Sequence, residues 1–149
     1  MSATIHTHLD VEIARPASAV WAFVSDYPSD TRWRKGITEM TPDREGAPSV
    51  GTKIREVLRL AGKTYVTNTA VTEVGPDMSY RFEGSGTAGM VRGGRTVVET
   101  APGSSIFTYD VEVEPSSIPP PLRPLVGRMF RRSLAKDLGR LRTLLETGE

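Results

Sequence analysis

The chain contains no cysteine, which excludes disulfides, thiolate metal centres, iron–sulfur clusters and cysteine nucleophiles together. Histidine is nearly as scarce, with 2 in 149 residues, so histidine-based catalysis has little material. No apolar run approaches the roughly 20 residues of a transmembrane helix. The opening Met1-Ser2-Ala3-Thr4-Ile5-His6 has neither the basic nor the apolar region of a secretory leader, and a cytoplasmic location is expected. Net charge is only +1, too little for bulk attraction to a polyanion. What is present suits a folding domain: 38% hydrophobic and 25% charged residues are neither a disordered nor a membrane composition. We read residues 1–149 as one domain, long enough to bury a core.

Charge is unevenly placed. Residues 1–121 carry 12 basic and 15 acidic side chains, whereas residues 122–149 carry 7 and 3. The end of the chain is therefore a basic element on a mildly acidic body.

From Thr4 to Ala14 the residues alternate, with Ile5, Thr7, Leu9, Val11 and Ile13 on one face and His6, His8, Asp10 and Glu12 on the other. That period of two marks a half-buried strand. Pro16 then suits a first helical turn, and Val20, Trp21, Phe23 and Val24 follow at helical spacing up to Ser25. Ser29 or Asp30 is placed to cap a second short helix leading into Trp33. Strands are predicted near 36–41, 51–60, 63–74, 78–84, 89–100 and 105–114, separated by turn residues such as Ala61-Gly62 and Pro102-Gly103. Such short connections favour an antiparallel meander.

Prolines at 115, 119, 120, 121 and 124 make a stiff link to the last element. Beyond it, Val126, Phe130, Leu134, Leu138, Leu141 and Leu145 form one stripe of a long amphipathic helix, with Arg128, Arg131, Arg132, Lys136, Arg140 and Arg142 on the other side. The fold class is α+β: a curved antiparallel sheet of seven strands wrapped round that helix, with two short helices after the first strand. A bent sheet gripping one helix leaves a gap suited to a small molecule.

The stretch Val11-Glu-Ile-Ala-Arg-Pro-Ala-Ser-Ala-Val-Trp21-Ala-Phe-Val-Ser-Asp26, followed by Trp33, resembles the opening of START-like helix-grip (SRPBCC) proteins. The resemblance is strongest to their polyketide cyclase/dehydrase and lipid-transport group. Val50-Gly-Thr-Lys-Ile54, Val71-Thr-Glu-Val-Gly-Pro76, Met78-Ser-Tyr-Arg-Phe82 and Phe107-Thr-Tyr-Asp-Val-Glu-Val-Glu-Pro115 agree in order. The resemblance implies a deep hydrophobic cavity between sheet and terminal helix. It leaves open an aromatase/cyclase, a lipid or quinone carrier, or another hydrophobic-ligand binder.

Other motifs weigh little. Gly84-Ser-Gly86-Thr-Ala-Gly89 matches a dinucleotide fingerprint literally, but the β-branched residues after it form a strand where that site needs a helix. We read it as a loop rimming the cavity mouth. No G-x-S-x-G is present. His6 and His8 would need a carboxylate to complete a zinc site, and we read them as exposed, with no metal and no cofactor. The basic helix face reads as a solvated face. Contact with an anionic membrane is the less favoured alternative, and nucleic acid is not expected because no aromatics interleave.

Alternation places Leu58, Phe82, Phe107, Phe130 and Leu134 as apolar cavity wall, with Glu56, Thr67, Thr69, Tyr80 and Tyr109 as orienting polar groups. Met129 flanks the stripe and Trp33 borders the entrance. Glu56 and Tyr109 are the candidate proton donors or acceptors if the protein is a cyclase. An inward Glu56 needs a partner.

Overall fold

Residues 4–148 are described in a computed structural model of the protein; Met1, Ser2 and Ala3 of the opening, and Glu149, lie outside the described residues. The alternating first segment is strand β1, Ile5–Ile13, and its apolar face is turned inward, with Thr7 and Ile13 fully buried. Helix α1, Ala17–Val24, starts directly after Pro16 and buries Ala17, Val20 and Val24. A 3-10 turn, Tyr27–Ser29, leads into the four-residue α2, Asp30–Trp33. Ser29 stands at the N-cap of α2, but its hydroxyl donates to the Phe23 carbonyl at 2.6 Å and caps no helix N–H, and Asp30 is drawn into the core.

Six strands follow: β2 Ile37–Pro42, β3 Lys53–Leu60, β4 Lys63–Gly75, β5 Ser79–Gly86, β6 Gly89–Ala101 and β7 Ser104–Pro115. They form one antiparallel sheet in the order β1-β7-β6-β5-β4-β3-β2. The first strand thus closes onto the last, with Ile5 opposite Val113 and Ile13 opposite Ser105. Register shifts at Ile37/Glu39, Val71/Glu73 and Glu99/Ala101 are irregularities of the kind that bend a sheet. The glycine-rich segment is a correction to the sequence reading. Gly84, Gly86 and Gly89 belong to β5 and β6, and only Thr87-Ala88 turns the chain. A side chain at Gly84 or Gly86 would strike the β4 backbone at the Asn68 or Val66 carbonyl.

The hairpin between β3 and β4 turns on Ala61 and Gly62, both at positive φ, 53° and 78°. Two such residues make the turn that matches strand twist. Alanine carries a steric penalty there that asparagine largely avoids. Ala61→Asn should therefore stabilise the protein by about 0.5–1 kcal/mol in urea unfolding; an unchanged midpoint would refute it.

Helix α3, Arg123–Thr147, is 25 residues long and lies in the hollow of the sheet. The far half of its stripe, Leu134, Leu138, Leu141 and Leu145, is buried in the main core with Ile13, Val20, Val24, Trp33 and Phe107. Its near half, Val126 and Phe130, is only half-buried. Gly127 lets the helix approach β1, since a Cβ there would stand 3.2 Å from Ile5 Cγ2. At the far end, Arg15 donates to the Leu145 carbonyl at 2.9 Å and the Ala14 N–H to Glu146 at 2.7 Å. Buried Asp137 accepts from Lys35 N–H at 3.2 Å and pairs with Arg140, whose Nε reaches the Trp33 carbonyl. Arg140 is therefore part of the α2–α3 joint and not of the free basic face.

Candidate functional site

The packed and unpacked halves of α3 define where space remains. Under Phe130 and Val126 the inward faces of β3, β4, β6 and β7 enclose a cavity of two lobes. The space they hold is small, about 40 and about 80 Å3, and both lobes open towards solvent. They share Glu56, Thr67, Val91, Val111 and Phe130 as a common wall. The outer lobe is almost wholly apolar, with Leu58, Leu60, Val113, Ile118 and Val126 around it and Ala88 of the β5–β6 turn at its edge. The inner lobe is less apolar: Arg34, Arg95, Thr69, Tyr27 and Tyr109 reach it, although Met40, Phe82 and the shared valines and Phe130 keep most of its surface apolar.

At the end of the inner lobe lies a buried ionic cluster. Asp30 is completely buried, and both of its oxygens take the Arg95 guanidinium, Oδ1 at 2.9 Å from Nη1 and Oδ2 paired with Nη2. Arg95 also donates to the Val24 carbonyl at 3.0 Å, and its guanidinium lies 4.5 Å from the Tyr109 ring centre. Arg34 bridges the cluster to the cavity. Its Nη1 donates to Glu56 Oε1 at 2.7 Å and lies 3.4 Å from both Asp30 Oδ2 and the Tyr109 hydroxyl. Two guanidiniums face two carboxylates, so the formal charges balance.

Burial alone would lower the pKa of both arginines. For Arg34 the Tyr109, Glu56 and Asp30 groups outweigh it, and for Arg95 Asp30 leads. Both stay protonated. Burial pushes the Tyr27 and Tyr80 hydroxyls up, so both remain neutral. Glu56 is the one member facing open space: its side chain is 19% exposed, and Arg34 is its only hydrogen-bond partner among the described residues. The partner that an inward Glu56 requires is therefore Arg34.

The structure brings Glu56, Leu58, Thr67, Thr69, Phe82, Tyr109 and Phe130 together on the cavity wall. It places the other expected site residues elsewhere. Trp33 is fully buried edge-on against Phe107, 6.1 Å between ring centres, and borders no entrance. Phe107 and Leu134 are packed in the core because α3 touches the sheet at their level. Met129 points to a surface groove with Arg59, Ala61 and Arg132 on the other side of the helix. Tyr80 is buried among Trp21, Tyr27 and Phe82, and among the described residues its hydroxyl faces only the buried Tyr27 hydroxyl, short of full hydrogen-bonding geometry.

Tyr80 therefore lacks the orienting role expected of it. A buried hydroxyl without a partner costs its desolvation. Tyr80→Phe should leave stability unchanged or raise it by up to about 1 kcal/mol. A loss above that size in thermal and urea unfolding would show that the hydroxyl is bonded.

Sequence reasoning missed Asp30, Arg34, Arg95 and Tyr27. For Arg95 a signal existed: Val91, Gly93, Arg95 and Val97 alternate onto the inward face of β6, so a charge stands in an apolar row. Asp30 opens and Arg34 follows a helix of four residues, too short to show a period.

A family model described as polyketide cyclase / dehydrase and lipid transport matches residues 4–146. No curated protein matches the sequence significantly. Among solved structures, the ZhuI aromatase/cyclase from Streptomyces sp. R1128 superposes with a TM-score of 0.80 at 13% identity, over 97% of this chain and 94% of that one. A protein of Thermus thermophilus gives 0.82 at 17% identity, over 97% and 99%. A START superfamily protein from Mycobacterium smegmatis gives 0.74 at 24% identity, over 93% and 98%. At these identities the likeness is one of fold, the START-like helix grip. No helix among the described residues is long and apolar enough to cross a membrane.

Proposed function

Because the chain belongs to the polyketide cyclase / dehydrase and lipid transport family, we propose that it is one ligand-binding domain throughout, taking a hydrophobic or aromatic small molecule between the sheet and α3. The observation that carries this reading is the polarity gradient of the cavity. An apolar outer lobe leads past Glu56, on the wall common to both, to an inner lobe ending in Arg34 and Tyr109. That gradient suits a flat or flexible carbon skeleton of polyketide, quinone or lipid type that carries oxygen at its inner end. The apolar wall supplies affinity by burial, and the polar end orients the guest. Native mass spectrometry of freshly purified protein tests the proposal directly. A co-purified small molecule lost on denaturation supports it. An empty protein that also leaves the fluorescence of aromatic probes unchanged overturns it.

A second reading is supported by Glu56 in particular. Its carboxylate, held by one arginine and open to both lobes, is placed to take a proton from a carbon between two carbonyls of a poly-β-ketone. That carbon attacks a carbonyl further along the folded chain, a C–C bond forms, and the carbonyl oxygen receives a proton. That C–C bond closes the ring, and loss of the new hydroxyl with a neighbouring proton as water leaves a carbon–carbon double bond. Holding the chain folded supplies most of the acceleration, with Glu56 and Tyr109 moving protons. Unaltered cyclisation by Glu56→Gln and Tyr109→Phe would remove these roles.

A further inference from the structure

The sequence leaves His6 and His8 as two exposed side chains without a third ligand, but the pairing of β1 with β7 supplies one. Both histidines stand on the face of β1 turned away from the cavity. On that face His8 lies directly opposite Asp110 and His6 opposite Glu112. Asp110 Oδ1 receives both rings, His6 Nε2 at 2.7 Å and His8 Nδ1 at 3.0 Å. The three donor atoms lie within 4.8 Å of one another. Glu112 is held by Arg92 at 2.7 Å, which leaves Asp110 as the carboxylate of the group.

Two neutral imidazoles and one carboxylate oxygen form the donor set of a borderline metal ion, and too few oxygens for calcium or magnesium. The spacing suits it. A tetrahedral ion with bonds of 2.0–2.1 Å holds its ligand atoms roughly 3.3 Å apart. The two separations to Asp110, 2.7 and 3.0 Å, need a small spreading, and the two histidine nitrogens, within 4.8 Å of each other, need at most a rotation of exposed rings. All three donors sit on paired strands, which fix their spacing better than a loop would. Asp10, Glu12 and Glu114 share the face by alternation and add negative potential. Arg81 covers Gly94 on the neighbouring strand, and among the described residues it makes no ion pair with Asp110.

We propose that the outer face of the β1–β7 pair binds one divalent transition-metal ion of the zinc class through His6, His8 and Asp110. The ion takes the place of the ring hydrogens now directed at Asp110, each imidazole staying neutral with its proton on the other ring nitrogen, and clamps the edge strand to its neighbour. At least one coordination position stays open to water. The site lies on the opposite side of the sheet from the cavity and does not depend on the ligand read there.

Calorimetric titration of the untagged, chelator-stripped protein with Zn2+ alone tests it, with Co2+ absorption reporting the coordination. One ion per chain is expected, with Kd below about 10 μM. His6→Ala, His8→Ala and Asp110→Asn should each weaken binding by at least about tenfold. Asp10→Asn, on the same face but outside the group, should change it by less than about threefold. Absence of saturable binding, or equal affinity in folded His6→Ala and Asp110→Asn proteins, overturns the proposal.

Discussion

Asp30→Ala is expected to destabilise the protein by about 3–5 kcal/mol, read from urea unfolding followed by circular dichroism and tryptophan fluorescence. The reason lies in what the substitution leaves behind. Arg95 is fully buried, and Asp30 is the only carboxylate it pairs with among the described residues. Its contacts with the Tyr109, Tyr27 and Trp33 rings, at 4.5, 5.7 and 5.5 Å, attract a cation but do not neutralise it. Without Asp30, Arg34 also keeps only Glu56. Arg95→Met should be costly for the mirror reason, since it leaves Asp30 with the 3.4 Å contact to Arg34 alone. Combining Asp30→Leu with Arg95→Met should recover much of the loss, because a buried pair exchanged for apolar groups is often close to neutral. A loss below about 1 kcal/mol for Asp30→Ala would place the pair among solvent-screened ones and overturn this account.

Val91→Trp should weaken ligand binding about a hundredfold while the protein stays folded. Val91 lies on the wall common to both lobes and is only half-buried. An indole there fills space that both lobes share. In a close-packed interior such an enlargement costs about 1–3 kcal/mol; in a real void most of that cost disappears. Two measurements therefore act together. Unfolding midpoints should shift little, and the affinity for an aromatic anion such as anilinonaphthalene sulfonate should fall by about a hundredfold, or 2.7 kcal/mol. Strong destabilisation would mean that the space is already filled. Unchanged affinity in a stable variant would place the binding site elsewhere.

Much of the architecture was legible because it rests on short periods. The alternation of β1, β3 and β4 put Thr7, Glu56, Thr67 and Thr69 on the faces they occupy, and the stripe of α3 ran where Leu134, Leu138 and Leu141 are buried. A shared face, however, does not distinguish a residue that lines a gap from one that closes it. Phe130 faces the cavity, and Leu134, one turn further along the same stripe, is packed solid. That difference depends on how deeply α3 sits at each level, which Gly127 beside Ile5 and the Asp137 joint help to set. No local pattern encodes it. The ionic cluster was hidden for a related reason: Asp30 and Arg34 acquire their meaning from Arg95, which lies 65 residues beyond Asp30 in the chain.

The closure of the sheet, β1 against β7, has a consequence for biosynthesis. Ile5 emerges from the ribosome early, yet its backbone partner is Val113. Until the seventh strand is translated, the opening strand has no ladder to join and its oily face has no terminal helix to meet. Pairings of such long sequence separation slow the search for the native state. Stalled or prematurely ended chains would therefore carry an unmated β edge, an invitation to chaperones in the cell and to aggregation in the test tube.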